Sequence, residues 1–226
     1  MALSPFTVVQ DVAGPPAGQR VVDVGCGDGA LVEALAKAGY VAEGVEPGAD
    51  AIALARRRAP HLSFQQSGAE QLPLGDGCFD VVAMVNSLHH VPPPLMQRAI
   101  AEARRVLKPA GLFVVIEPGV TGSFFEALRS IEDETEVRLL AQRALDAAVE
   151  SGAWTVVKAL GFDREERFAE VGDFIARVVA VDPARAVAVE RNRPAVVQTF
   201  NRCALRETGG ALVLVQPNLV RVLVPA

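Results

Sequence analysis

The segment Asp23-Val24-Gly25-Cys26-Gly27-Asp28-Gly29 alternates glycines directly behind an apolar run. Glycine lets a backbone turn sharply and approach a ligand with no Cβ in the way, so the chemistry this segment suggests is the holding of a nucleotide-like ligand. Glu46 stands 21 residues beyond Gly25, at the close of a second β-rich run, where a carboxylate can accept hydrogen bonds from both ribose hydroxyls. Gly25-x-Gly27-x-x-Ala30 also satisfies the relaxed dinucleotide fingerprint. On spacing alone a nicotinamide dinucleotide and another nucleoside cofactor therefore both remain open. His89 and His90 are two of only 3 histidines. An imidazole, with an unperturbed pKa near ~6.5, suits a general base at neutral pH. Glu117 ends a further strand candidate and could orient a histidine or an acceptor. Plain packing of a histidine and a strand-end acid before Pro118 are the structural alternatives.

These residues need elements to position them, and the pattern from Arg20 to about Pro118 alternates short β-rich runs with helical periodicity, the form of repeated βαβ units around a parallel sheet. Val21–Val24 reads as a buried strand, and Leu31, Ala34, Leu35 and Ala38 then repeat at helical spacing until Gly39. Val41–Glu46 is a second strand, followed by a helix that Asp50 can cap and that ends on Arg56-Arg57-Arg58, where cations suit the helix dipole. Leu62–Gln65 and Phe79–Val85 are a third and fourth strand. Met96, Ala99, Ile100, Ala103 and Val106 mark one helix face, and Leu112–Glu117 is a fifth strand. Five strands with crossovers make a doubly wound α/β core, which binds ligands at the carboxyl edge of its sheet. His89, His90 and Glu117 all fall at such an edge.

Beyond Gly119 the alternation stops. Phe124–Ser130, then Val137, Leu140, Ala144 and Ala147, and later Val196, Val197, Phe200 and Ala204 read as added helices. Phe6, Phe124, Phe125, Trp154 and Phe168 lie in segments that could close over the site or simply form core between the added helices. Ala211–Gln216 and Leu219–Val224 flank Pro217-Asn218 as a final edge strand or a short hairpin. The reading is one domain over residues 1–226, with a cofactor-binding core at 20–118, cap and added helices at 1–19 and about 119–208, and a C-terminal strand region at 209–226.

Composition narrows the partners. Of 226 residues, 50% are hydrophobic and 22% charged, and a chain of this size buries about 70% of its unfolded surface, enough for a full core. The net charge of -5 and pI near 5.3 argue against a general nucleic-acid binder and favour a small-molecule partner. Apolar runs such as Leu112–Ile116 fall far below the roughly 18 residues of a spanning helix, and the start Met1-Ala2-Leu3-Ser4-Pro5 has no basic region before an apolar stretch. No membrane partner and a cytoplasmic setting are expected; a homodimer is compatible with the sequence. Cys26, Cys78 and Cys203 are isolated, so neither a disulfide framework nor a Cys-x-x-Cys metal site is expected.

Taken in order, Val22–Gly29, Gly44-Val45-Glu46, Ala69-Glu70-Gln71-Leu72-Pro73-Leu74, Phe79-Asp80-Val81-Val82, Leu88-His89-His90-Val91 and Arg105–Gly111 resemble the successive motifs of class I S-adenosylmethionine-dependent methyltransferases of small molecules. The resemblance covers about residues 20–118. It implies a seven-stranded, mostly parallel sheet with helices on both faces and a reversed last strand, S-adenosylmethionine as cofactor and S-adenosylhomocysteine as product. It assigns Asp23 and the loop residues Gly25, Cys26, Gly27 and Gly29 to the methionine end, Glu46 to the ribose and Ala69 with Glu70 to the adenine edge, and it places Pro47, Gly68 and Asn86 in the same cofactor-binding set. Two positions depart: Gly68 stands where the family commonly has an aspartate that bonds the adenine amino group, and Ala110 where a second glycine usually follows Lys-Pro. Asn86-Ser87-Leu88-His89 lacks the Pro-Pro-aromatic sequence of amino-methyltransferases of DNA.

The expected function is methyl transfer to a small-molecule acceptor, on oxygen by preference, with His89, His90 and Glu117 as the catalytic candidates. Carbon and nitrogen acceptors use similar histidine pairs in the family. A non-catalytic binder of the cofactor or its product, and an NAD-type oxidoreductase, are the alternatives.

Overall fold

The computed structural model describes residues 3–226; Met1 and Ala2, part of the amino end read above, lie outside them. In chain order the elements are α1 (Pro5–Ala13), β1 (Arg20–Val24), α2 (Ala30–Lys37), β2 (Val41–Glu46), α3 (Ala49–Arg58), β3 (Ser63–Gln66), β4 (Phe79–Val85), α4 (Met96–Val106) and β5 (Leu107–Pro118). They continue with α5 (Ser123–Leu128), α6 (Thr135–Glu150), β6 (Trp154–Phe168), α7 (Val171–Val181), α8 (Arg185–Cys203), β7 (Leu205–Arg206) and β8 (Leu212–Pro225). The sheet runs β3-β2-β1-β4-β5-β8-β6, and β7 pairs only with β8, antiparallel. This is the doubly wound α/β fold expected from sequence, with its mostly parallel sheet and reversed last strand.

The chain divides into two compact units. The first comprises the residues up to Glu117 together with 139–161 and 219–226; the second comprises 118–138 and 162–218. Residues 139–161, read from sequence with the cap, thus belong to the first unit.

In the first unit β1 pairs in parallel with β2 and β4, β2 with β3, and β4 with β5. Val24 lies opposite Val45, Glu46 opposite Gln66, and Val85 opposite Ile116. Parallel pairing in this register brings every carboxyl end to one edge. Central strands covered on both faces need continuous apolar runs, and Val21, Val22, Val24, Val81–Met84 and Phe113–Ile116 are all buried. α4 faces them with Met96, Ala99, Ile100, Ala103 and Val106, as its periodicity predicts. Arg105 on α4 donates to the carbonyls of Leu72 and Leu74, and Glu102 accepts the Leu72 N–H, which fastens the loop after β3. Trp154 packs its ring 5.2 Å from Phe113 and is core of this unit, one of the two roles left open for it.

Three local expectations are corrected. Asp50 is not the cap of α3: Gly48 occupies that position with no side-chain bond, and Asp50 sits in the first turn, where an acid suits the dipole. β6 is a 15-residue strand in a region read as helical. It ends the strand order, most of its residues are exposed, and Lys158, Asp163, Arg164, Glu165, Glu166 and Arg167 erase any apolar alternation, as charged edge strands do. β8 is one strand, neither an edge nor a hairpin at Pro217-Asn218. Pro217 has no N–H to give, but its carbonyl accepts from Gly119, and the Gln216 amide donates to the carbonyls of Gly119 and Pro217.

The second unit has its own core. Phe124, Phe168, Phe174 and Phe200 pack with mostly edge-on rings 5.2–6.0 Å apart, joined by Leu128, Val178, Val196, Leu212 and Leu214. Buried Glu134 accepts from both Arg138 and Arg185, and Arg138 also donates to the Gly119 carbonyl at 2.7 Å. α8 kinks at Asn192, two residues ahead of Pro194, whose ring cannot follow a regular helix.

Candidate active site

β1 ends in Asp23-Val24 and delivers the chain into the glycine loop. Gly25, Gly27 and Gly29 take φ of +80°, +53° and +77°, a region that strains residues bearing a Cβ. At Gly25 space adds to the demand: a Cβ there would stand 3.0 Å from Ser87 Oγ and closer still to Ser87 Cβ. The N–H groups of Gly25 and Cys26 both donate to the Val45 carbonyl, at 2.7 and 3.1 Å, tying the loop to β2. The Cys26 thiol fits where Gly44 has no side chain, since a Cβ on Gly44 would lie 2.7 Å from its sulfur. Burial, then the charges of Asp23 and Glu46, push this thiol's pKa up, so Cys26 serves the loop through its backbone and is no nucleophile. Asp28, with its side chain on the Ala30 N–H and on Arg58, is a turn residue.

Two carboxylates flank the loop. Glu46, closing β2, accepts the Gly27 N–H on Oε2 at 3.0 Å and the Gly48 N–H on Oε1 at 2.8 Å. Each carboxylate oxygen has two lone pairs, so Glu46 keeps capacity for two hydroxyl donors. The adjoining Pro47 carbonyl accepts from the Gln66 amide. Asp23 is 3% exposed, and its Oδ1 is buried with no hydrogen-bond partner. Burial and then the nearby Glu46 charge raise its pKa to about 7.

That shift gives a pH dependence with a definite sign. Between about pH 4 and 7 the folded state keeps a proton on Asp23 that the unfolded chain has released, so this residue's stabilising contribution is present at low pH and lost as pH rises through about 7. Asp23→Asn removes the titration. The melting temperature of the variant should therefore gain on the wild type as pH goes from 4 to 8. A constant difference across that range would refute the placement of a buried acid here.

Beyond β3, the Ser67 N–H donates to the Glu46 carbonyl at 3.2 Å and holds the next loop beside the end of β2. Ala69 turns its methyl into the core. A Cβ on Gly68 would stand 2.5 Å from Glu70 Oε1, so the Glu70 carboxylate takes the space a side chain at 68 would need.

At the ends of β4 and β5, Asn86 adopts φ +50° with its N–H on the Ile116 carbonyl and its Oδ1 buried without a partner. Ser87 Oγ donates to the Val24 carbonyl at 2.7 Å, linking this turn to the glycine loop. No spacing in the sequence singles out Ser87; only the packing opposite Gly25 explains its small size. His89 and His90 lie on a 3₁₀ turn, Leu88–His90. His89 is 5% exposed and its Nδ1 lies 2.5 Å from Glu117 Oε2, whereas His90 is exposed, its ring centroid 4.1 Å from that of His89. The two histidines that sequence treats as equals are thereby distinguished, and Glu117 is joined to one of them.

Residues 22–115 match the family model described as a methyltransferase domain. The chain is 41% identical over 100 residues to the ubiquinone biosynthesis O-methyltransferase of Methylococcus capsulatus, covering 42% of this chain and 41% of that protein. It is 36% identical over 110 residues to the demethylmenaquinone methyltransferase of Renibacterium salmoninarum, covering 49% and 46%. It is also 36% identical over 100 residues to an uncharacterized methyltransferase of Synechocystis, covering 44% and 47%. The chain spans about half the length of the curated relatives it matches. Its fold is that of the Bacillus subtilis YcgJ protein, with a TM-score of 0.63, 20% identity and 98% of each chain covered. The glycine loop, Glu46 and His89 all lie within residues 22–115, the part of the chain that matches a methyltransferase domain.

Proposed function

We propose that the protein transfers the methyl group of S-adenosylmethionine to an oxygen of a small-molecule acceptor. The observation that carries this reading is the buried, unpartnered Asp23 oxygen beside a glycine loop and Glu46. A ligand with an ammonium group and a ribose supplies the donors these carboxylates lack, and the orphaned Asn86 oxygen offers a further acceptor. Relatives named for ubiquinone biosynthesis O-methylation, 35–41% identical over about half of this chain, support oxygen as the acceptor atom. When bound, S-adenosylmethionine supplies a methyl on a sulfonium, open to in-line displacement and leaving S-adenosylhomocysteine.

The chain's own work is then to bind and orient. Asp23 holds the ammonium, the loop Gly25–Gly29 admits the methionine end closely, Glu46 holds the ribose hydroxyls, and the 68–70 loop borders the base. A hydroxyl acceptor must also lose its proton as the methyl arrives, and a histidine at this edge can take it. Among the described residues no helix is long and apolar enough to cross a membrane. The reading keeps a cytoplasmic setting, a small-molecule partner and no nucleic acid, on the acidic balance of the chain.

Calorimetry with S-adenosylmethionine, S-adenosylhomocysteine and NAD, followed by turnover to S-adenosylhomocysteine across a panel of small hydroxylated acceptors, tests this reading. Tight binding of the first two with turnover is expected. Binding without turnover on any acceptor would make the chain a cofactor binder, and preference for NAD would overturn the reading. Glu46→Ala should weaken S-adenosylmethionine binding by about 2 kcal/mol, close to thirtyfold, the range for hydrogen bonds to a charged group. Unchanged affinity in a folded variant would refute Glu46 as the ribose acid.

A further inference from the structure

Glu117 is 1% exposed at the end of β5, and among the described residues no lysine or arginine bonds to it. Its partners are three. The N–H groups of Ser87 and Leu88 approach Oε1 at 3.1 and 2.9 Å, and His89 Nδ1 approaches Oε2 at 2.5 Å. A buried carboxylate needs such compensation, and one set of contacts here does two jobs: it closes the strained turn after β4 and it grips an imidazole.

We propose that Glu117 is the positioning residue of this site: it fixes His89 with its hydrogen on Nδ1, leaving Nε2 as the lone-pair nitrogen that takes the proton of the acceptor. The proposal rests on the reading of methyl transfer to a hydroxyl. The tautomer follows from the roles open to each atom. Backbone N–H groups can only donate, so Glu117 accepts at Oε1 from two of them, and two such donors favour the carboxylate form, which has no hydrogen to offer at Oε2. The hydrogen in the short contact therefore belongs to Nδ1. A neutral imidazole with its hydrogen there has its acceptor lone pair on Nε2. The acceptor's O–H proton passes to Nε2 as oxygen bonds the methyl carbon; the sulfonium leaves with its C–S electron pair as a neutral thioether, and the imidazolium formed faces the Glu117 charge. His90, one position on, is exposed.

Glu117→Gln separates the two jobs. The amide oxygen can still accept from Ser87 and Leu88, but the amide nitrogen then faces Nδ1 as a donor and demands an acceptor there. The imidazole hydrogen moves to Nε2, the wrong nitrogen for a base. The chain has 3 histidines, so nitrogen NMR of imidazole-labelled protein, with His61→Gln and His90→Gln for assignment, reads the tautomer without cofactor or acceptor. Wild-type His89 should carry its hydrogen on Nδ1 and the Glu117→Gln variant on Nε2. Turnover of that variant should fall about 10²–10⁴-fold at unchanged cofactor affinity, as when a base is held in the wrong tautomer.

A wild-type His89 with its hydrogen on Nε2 overturns the assignment, and this spectrum decides even if Glu117→Gln does not fold. A folded variant that keeps more than about a tenth of the rate also overturns it. Hydrogen on Nδ1 together with no methyl transfer to any hydroxyl acceptor refutes the proposed reaction and the base role of His89, and leaves Glu117 as the residue that sets the tautomer.

Discussion

His89→Gln should lower methyl-transfer turnover about 10²–10⁴-fold, equivalent to roughly 3–5 kcal/mol of transition-state stabilisation, while S-adenosylmethionine affinity stays nearly intact. The magnitude is that of general-base assistance, and the selectivity comes from geometry. Glutamine can keep a donor toward Glu117, so the turn after β4 survives, yet no basic nitrogen remains to accept a proton. His90→Gln is the matched control. His90 is exposed and is not the imidazole bonded to Glu117, so this variant should keep most of the rate. Cofactor affinity and turnover must be measured for both, because a histidine that only packs would lower stability or cofactor binding together with rate. If both variants keep more than about a tenth of the rate, proton abstraction by this pair is excluded. Catalysis would then rest on proximity alone, as for a carbon or amine acceptor that arrives already nucleophilic.

The second large effect is expected at Gly25. A left-handed backbone costs an alanine about 1–2 kcal/mol, and the overlap of its Cβ with Ser87 adds about 1–3 kcal/mol of overpacking. Ser87 cannot retreat freely, because its hydroxyl is bonded to the Val24 carbonyl at 2.7 Å. Gly25→Ala should therefore lower unfolding free energy by about 2–5 kcal/mol, or the melting temperature by about 2–4 °C for each of those. Gly27→Ala supplies the contrast. Its φ is also positive, but nothing lies within 4 Å of the added carbon, so only the backbone term of about 1–2 kcal/mol remains. Equal losses in the two variants, read from denaturant or thermal unfolding, would show that the approach of Ser87 does not constrain the loop.

The sequence by itself determined the parts whose signals are local. Strand β1, the glycine turn and α2 follow one another within twenty residues, and α4 writes its buried face at i, i+3, i+4 and i+7; such periodicities arise from neighbours in the chain and need no distant partner. The place of Glu46 beside the glycine loop was legible for the same reason, since a βαβ unit fixes the distance from glycine loop to second strand end. Where a segment is exposed on most of its length the signal vanishes. β6 carries charge at 158 and 163–167, and its strand conformation is imposed by pairing at the sheet's edge, which no local pattern records. β8 likewise runs through Pro217, where the Pro217 carbonyl and the Gln216 side chain meet a partner far off in sequence, Gly119.

Which of the two histidines meets Glu117 could come only from tertiary structure. His89 and His90 are identical in type and adjacent in the chain, so sequence cannot rank them. Parallel pairing of β4 with β5 sets Val85 beside Ile116 and so brings Glu117 under the following turn, within 2.5 Å of one imidazole. Likewise Asp23 is an ordinary acid until packing removes its water and sets Glu46 nearby, which raises its pKa to about 7. Residue types and spacing fix which groups are available. Protonation, tautomer and exposure depend on solvent exclusion and on contacts between residues far apart in the chain, and these exist only once the sheet has formed.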